Sequence, residues 1–183
     1  MRALQFIVEV ISNLIIMVLL VRLVLPFVHA NFRNPVVQGI FKITSPLVVP
    51  LRRVLPPMGR VDTATLIVAY AFQYAALFLM IVLVSRGTLP AALPLAWFAL
   101  IKLVVLLIKL FAYATIVRII LSWIAPNQYN PVTEIIGAIT EPLIAPARRV
   151  IPSIGGLDLS PMFVTIGLFA VAILVEDLGA MVF

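Results

Sequence analysis

Four long apolar runs dominate the chain, at 4–28, 64–84, 100–124 and 161–183. Each approaches or exceeds the roughly 20 residues a helix needs to cross the hydrocarbon of a bilayer, so the pattern predicts four transmembrane helices. The stretch 93–100 is apolar too, but Pro90 and Pro94 mark 89–99 as a linker and interfacial lead-in to the third run. Between runs one and two, at 31–62, and between runs three and four, at 127–158, the pattern changes. Short apolar stretches such as 36–43 and 132–139 are followed by prolines at close intervals. These segments are too apolar for solvated loops and too interrupted for a spanning helix, because proline removes a backbone donor and stops helices. They predict short helices that lie in the interface or re-enter the bilayer, with any irregular backbone at depth covered by protein or water.

The halves of the chain repeat. A single offset of 96 maps Arg22 onto Arg118, Asn34-Pro35 onto Asn130-Pro131, Thr44 onto Thr140, Pro46 onto Pro142 and Pro50 onto Pro146. It also maps Arg52-Arg53 onto Arg148-Arg149, Pro56 onto Pro152, Gly59 onto Gly155 and Asp62 onto Asp158. The matched positions are the rare polar and proline residues rather than the abundant Leu and Val, which chance does not supply. The expected fold is therefore an all-α membrane protein of about four transmembrane helices in two tandem repeats. The first repeat covers 1–88 and the second 100–183, each with a Pro/Arg-rich interfacial or re-entrant segment. One unit holds two spans, so both copies enter the bilayer in the same direction, parallel repeats about an axis along the membrane normal.

Composition strengthens the membrane reading. The 183 residues are 64% hydrophobic and 11% charged, with a mean hydropathy of +1.23. A soluble fold of this composition would have to expose many apolar side chains. The formal charge of +6 suits an anionic membrane surface better than nucleic acid, because no basic stripe interleaved with aromatics is present. Arg33, Lys42, Arg52, Arg53, Arg60, Arg148 and Arg149 fall in the two proline-rich segments, against Arg2 and Arg86 on the other side. The positive-inside rule then places those segments in the cytoplasm and both termini outside. Met1-Arg2 and the apolar run before Val28-His29-Ala30 resemble a signal peptide, but the run is long, holds Arg22 and Pro26, and has a counterpart mid-chain. Cysteine is absent, which excludes disulfides, thiolate chemistry and covalent haem attachment.

The second copy reads Arg118-Ile-Ile-Leu-Ser-Trp123, Asn130-Pro131, Thr140-Glu-Pro-Leu-Ile-Ala-Pro146, Arg148-Arg149, Ile151-Pro152 and Gly155-Gly-Leu-Asp158-Leu-Ser-Pro161. This resembles the YggT family of small membrane proteins, also called YlmG, in its two-copy proteobacterial form, over nearly the whole chain. The resemblance implies a bacterial inner-membrane protein of a family without an established enzymatic activity. It links the chain to cell division and nucleoid distribution, to assembly of a cytochrome complex in plastids, and to osmotic or potassium stress. The first copy departs from the pattern with Pro26-Phe27 for Ser122-Trp123, Ser45 for Glu141 and Thr63-Ala64-Thr65 for Leu159-Ser160-Pro161.

Several residues are candidates for chemistry or binding. The pairs Arg52-Arg53 and Arg148-Arg149 read as topology anchors that snorkel to phosphates, or as bidentate clamps for an anionic head group or a partner carboxylate. Asp62 and Asp158 read as helix caps or as ion-pair partners for an arginine of the same segment, and Asn34 and Asn130 as caps before proline. Within the spans, Glu9, Asn13, Arg22, Lys102, Lys109 and Arg118 are costly to bury and are functional candidates on that ground. Lys102 and Lys109 share a helix face, as do Glu9 and Asn13, which predicts Glu9 facing a lysine across the bundle. Glu176-Asp177 reads as the outer boundary of the last span. His29 is the single histidine, so neither a metal site nor a haem ligand set is expected, no cofactor is implied, and no phosphate loop or activated nucleophile can be found. Expected partners are membrane lipids and other membrane proteins, a second copy included. The reading is a non-enzymatic organiser or assembly factor of membrane components; the alternative is an ion channel or transporter with Glu9, Lys102 and Lys109 along a polar path.

Overall fold

A computed structural model describes residues 2–84, 89–124, 130–151 and 158–181. Within them run six helices: α1 Arg2–Val24, α2 Pro35–Arg52, α3 Thr63–Val84, α4 Ala92–Ile124, α5 Pro131–Val150 and α6 Ser160–Ala180. Helices α1, α3, α4 and α6 are long and apolar enough to cross a membrane. Arg86, Pro152, Gly155 and Gly156, singled out from the sequence, lie outside the described residues.

The element boundaries depart from expectation in three places. The first span stops at Val24 rather than continuing to 28, because Pro26 has no N–H to give and His29 takes a left-handed φ of 51°, turning the chain so that Ala30 N–H donates back to Leu25 O. The third begins at Ala92, so 92–99 is the start of α4 and not a separate interfacial lead-in. Pro94 falls in the first turn, where its missing donor costs nothing. At 33 residues α4 is about 50 Å long, well beyond the roughly 30 Å of hydrocarbon.

The third departure concerns the proline-rich segments. Instead of short broken helices, each forms one continuous helix, α2 of 18 residues through Pro46 and Pro50 and α5 of 20 residues through Pro142 and Pro146. The prolines of each helix are four residues apart and all four are exposed, so the lost hydrogen bonds fall on one outer face. The opposite face is pinned by buried Val37, Thr44 and Val48 in α2 and by Ile135, Ile139, Thr140 and Ile144 in α5. Packing along that face overrides the local breaking tendency. Pro35 and Pro131 open the helices at the position where proline is favoured, behind the caps Asn34 and Asn130.

The packing follows one plan twice. Helix α1 lies on α3 with α2 against both, and α4 lies on α6 with α5 against both. The two sets meet through α4, which packs on α1 and α3, and through α2 against α5. One hydrophobic core runs from Ile16, Leu19 and Leu20 of α1 through Ala64, Val68 and Ala69 of α3 to Leu103, Leu106 and Leu110 of α4. Much of the outer surface is apolar, as in Phe6, Leu14, Phe78, Ile166 and Leu174, which hydrocarbon accepts and water does not.

Candidate functional site

The polar residues gather in three places, and each is positioned by the helices just described. At the end of α1, Arg22 is 1% exposed. Its Nη1 donates to Thr44 Oγ1 at 2.7 Å and more weakly to Phe41 O and Ser45 Oγ at 3.4 Å. The guanidinium stacks 4.5 Å over the Phe41 ring, and its Nε stands 3.6 Å from Asp62 Oδ2. Thr44 completes the relay by donating its hydroxyl to Ile40 O at 2.6 Å. Asp62, just before α3, also accepts from Arg52 Nη2 at 2.8 Å and from Thr65 Oγ1 at 2.8 Å. One buried arginine thus fastens α1, α2 and α3 together. Burial alone would raise the Asp62 carboxyl, but the Thr65 hydrogen bonds and the Arg52 and Arg22 charges outweigh it and hold it below the usual carboxylate value.

The second copy builds a related but more open network. Arg118 Nη1 donates to Thr140 Oγ1 at 2.9 Å, and Thr140 donates to Ile136 O at 2.7 Å, matching Arg22 and Thr44. Where the first copy has Ser45, Glu141 accepts from Arg118 Nη2 at 2.7 Å and pairs with Arg148 at 3.4 Å. Arg148 Nε donates to Asp158 Oδ2 at 2.9 Å. The extra carboxylate takes Arg118 out of reach of the aspartate, so the chain Arg118, Glu141, Arg148, Asp158 replaces the compact Arg22, Asp62, Arg52 group. For Asp158, too, burial acts to raise the carboxyl, and the Ser160 and Arg148 hydrogen bonds lower it further than burial raises it. Beside this network a cleft of about 540 Å³ is lined by Arg118, Ser122, Trp123, Arg148, Asp158 and Met162, among others.

Both aspartates combine the two roles read from the sequence. Asp62 accepts from the Thr65 N–H three residues on and pairs with Arg52. The cap of α6 itself is Leu159, without a side-chain hydrogen bond, yet Asp158 one residue earlier accepts from Ser160 N–H at 3.0 Å. The arginine pairs are split: all four side chains are exposed, but Arg52 and Arg148 pair with these aspartates, whereas Arg53 and Arg149 have no ion pair among the described residues. Asn34 and Asn130 cap α2 and α5. Asn34 Nδ2 reaches across to Pro131 O and Glu134 Oε2, both at 2.8 Å, and Asn31 donates to Glu134 Oε1 at 3.2 Å, joining the two copies.

The third cluster lies within the spans. A cleft of about 200 Å³ between α1, α3 and α4 is lined by Glu9, Ser12, Asn13, Gln73, Lys102 and Lys109, among others. Glu9 shares this cleft with both lysines, but their ion pairs go elsewhere: the Lys102 ammonium pairs with Glu176, and Lys109 lies 3.9 Å from the same carboxylate. Glu176 sits on α6, whose packing on α4 brings it to the lysine face, a pairing the sequence did not disclose. Glu9 is exposed on the rim. Sequence reasoning passed over Gln73, Glu134, Glu141 and Glu176 as site residues; an uncharged polar residue in the middle of an apolar run was the available signal for Gln73.

The comparisons agree with this architecture. The profile described as CCB3/YggT matches the chain twice, over residues 1–83 and 97–179. A relative in Pseudomonas aeruginosa is 37% identical over 96% of this chain and 90% of its own length, and one in Vibrio alginolyticus is 34% identical over 97% and 96%. The Escherichia coli protein named YggT is 33% identical over 93% of this chain and 88% of its own length. All three carry the description "uncharacterized". No solved structure matches. With both halves matched and these relatives aligned nearly end to end, the chain belongs to the CCB3/YggT family.

Proposed function

We propose that this chain is a non-enzymatic, multi-pass protein of the bacterial inner membrane that organises or assembles other membrane components through its Pro/Arg helices α2 and α5. The observation that carries this reading is the division of labour within the arginine pairs. Arg52 and Arg148 close networks inside their own copies, while Arg53 and Arg149, next to them, are exposed without an ion pair among the described residues. A guanidinium held at the end of a helix is suited to bidentate contact with a phosphate or carboxylate, and basic residues at the cytoplasmic boundary of a bilayer meet anionic head groups there. The cell-division and complex-assembly roles implied by the family resemblance fit a protein that holds others in place, whereas the osmotic or potassium role fits the second reading below. The test places a photo-crosslinking residue at 54 and at 150, the exposed valines beside those arginines, in cells. Reproducible adducts to a defined membrane protein, lost in R53A/R149A chains that remain folded, support the reading; their absence, with folded protein in the membrane, overturns it.

A second reading, transport, is favoured by one feature, the polar cleft of Glu9, Asn13, Gln73, Lys102 and Lys109 inside the spans. Purified chain in liposomes under a potassium gradient separates the two. The organiser reading predicts no flux, and a flux abolished by Lys109→Gln or Glu9→Gln establishes transport instead.

A further inference from the structure

The corner where one spanning helix ends and the next begins is closed in the first copy and open in the second. Arg22 and Asp62 are shut in, with side-chain exposures of 1% and 6%. Their counterparts Arg118 and Asp158 are 26% and 36% exposed, and both line the cleft of about 540 Å³ with Arg148, Ser122 and Trp123. Hydrogen-bonding capacity remains there. Arg148 donates from Nε and Nη1, and its Nη2 has no hydrogen bond among the described residues. Each Asp158 oxygen accepts one N–H and can take a second. The charges balance, Arg118 and Arg148 against Glu141 and Asp158. An anion therefore gains no net attraction at this corner, whereas a dipolar group can pair with both signs at once.

The cleft is also amphipathic. Ile119, Leu159, Pro161 and Met162 complete its lining. Trp123 is 75% exposed at the end of α4, the level at which tryptophan meets head groups. Exposed Ile120, Phe163 and Ile166 follow along α4 and α6, one or two turns further into the spans. Water suits only the charged part of such a cleft and hydrocarbon only the rest, whereas a phospholipid suits both. We propose that the cleft seats phosphatidylethanolamine, with its phosphate on Arg118 and Arg148, its ammonium on Asp158 and its acyl chains along the apolar residues of α4 and α6. A primary ammonium donates N–H bonds to the carboxylate, which the trimethylated ammonium of phosphatidylcholine cannot do, and phosphatidylglycerol brings no cation at all. The cleft volume falls in the range of small-ligand pockets. The site requires only that α4 and α6 cross a bilayer, and it stands whether or not Arg53 and Arg149 hold partners.

The experiment uses the full chain in detergent and measures thermal unfolding against added phospholipid, with ethanolamine, choline and glycerol head groups on the same acyl chains. The expected result is saturable stabilisation by phosphatidylethanolamine, about fivefold to tenfold tighter than by phosphatidylcholine, the selectivity of one hydrogen bond, and tighter than by phosphatidylglycerol. Asp158→Asn removes the preference over phosphatidylcholine. Arg148→Gln weakens both of those lipids, and Lys42→Gln, exposed on α2 and outside the cleft, changes neither. Equal affinity for all three lipids marks an unselective apolar surface, and tightest binding of phosphatidylglycerol marks a merely basic one. Either result, or no saturable effect, overturns the proposal. If Arg148→Gln does not fold, the unaltered chain and Asp158→Asn decide it.

Discussion

A buried arginine needs partners for its charge and its N–H groups, and Arg22 finds most of them, leaving its Nε 3.6 Å from Asp62 without a hydrogen bond. Thr44 accepts one N–H, the Phe41 ring covers one face, and Asp62 supplies the counter-charge. Removing that counter-charge strands a guanidinium in an apolar interior, so Asp62→Ala should destabilise the chain by about 3–5 kcal/mol. Asp158→Ala, in the exposed counterpart where side-chain exposure is 36%, should cost under about 1 kcal/mol. Reversible unfolding in detergent measures both. Asp62 also sets a pH dependence. Its folded-state carboxyl lies below the ordinary value of 3.8, so its contribution is complete above that pH and is lost as pH falls below it through the folded value. The difference in stability between the unaltered chain and Asp62→Asn should shrink over that acid range and stay constant from pH 5 to 7. The pairing of each aspartate with an arginine of its own segment was legible, because the offset of 96 preserved both partners. The reach of Arg22 to Thr44 and Asp62 was not, since it depends on how three helices cross. The pairing of Glu176 with the lysines was hidden for the same reason: the repeat equates α1 with α4 but says nothing of which α6 side chain faces the lysines.

Among the elements, the spanning helices were visible as apolar runs because hydrocarbon imposes a length and a composition, and the caps Asn34 and Asn130 because they precede proline. The continuity of α2 and α5 was hidden. Local rules stop a helix at Pro46 or Pro142, and only the apolar faces buried against the spans reverse that outcome. Close packing elsewhere is set by single residues. A Cβ on Gly179 would come within 2.6 Å of the Ile101 side chain, which is β-branched and stiff, where Trp97 also donates to Gly179 O at 3.0 Å. Gly179→Ala should therefore cost about 1–3 kcal/mol by forcing α6 off α4. Gly167→Ala, in the same helix with nothing within 4 Å of the added methyl, should gain about 0.5–1 kcal/mol from helix propensity. Unfolding of the two variants side by side separates packing from propensity.

Across the whole molecule, two similar three-helix sets are joined by α4 and by the link from Asn34 to α5. Asn130 caps its own helix alone, whereas Asn34 caps α2 and also donates to Pro131 O and Glu134. Asn34→Ala should cost about 1–2 kcal/mol more than Asn130→Ala, the worth of the added hydrogen bonds, one of them to a carboxylate, as equilibrium unfolding would show. The larger claim is that both copies cross the bilayer in the same sense and present Arg53 and Arg149 together on the cytoplasmic face. The chain has no cysteine, so Arg53→Cys, Arg149→Cys and a cysteine appended after Phe183 can each be probed alone with a membrane-impermeant thiol reagent on spheroplasts. Cysteines at 53 and 149 should react only after the inner membrane is permeabilised, and the C-terminal one without permeabilisation. Reaction of 53 and 149 from opposite sides, or of both from outside, would contradict the parallel arrangement and with it the cytoplasmic role of α2 and α5.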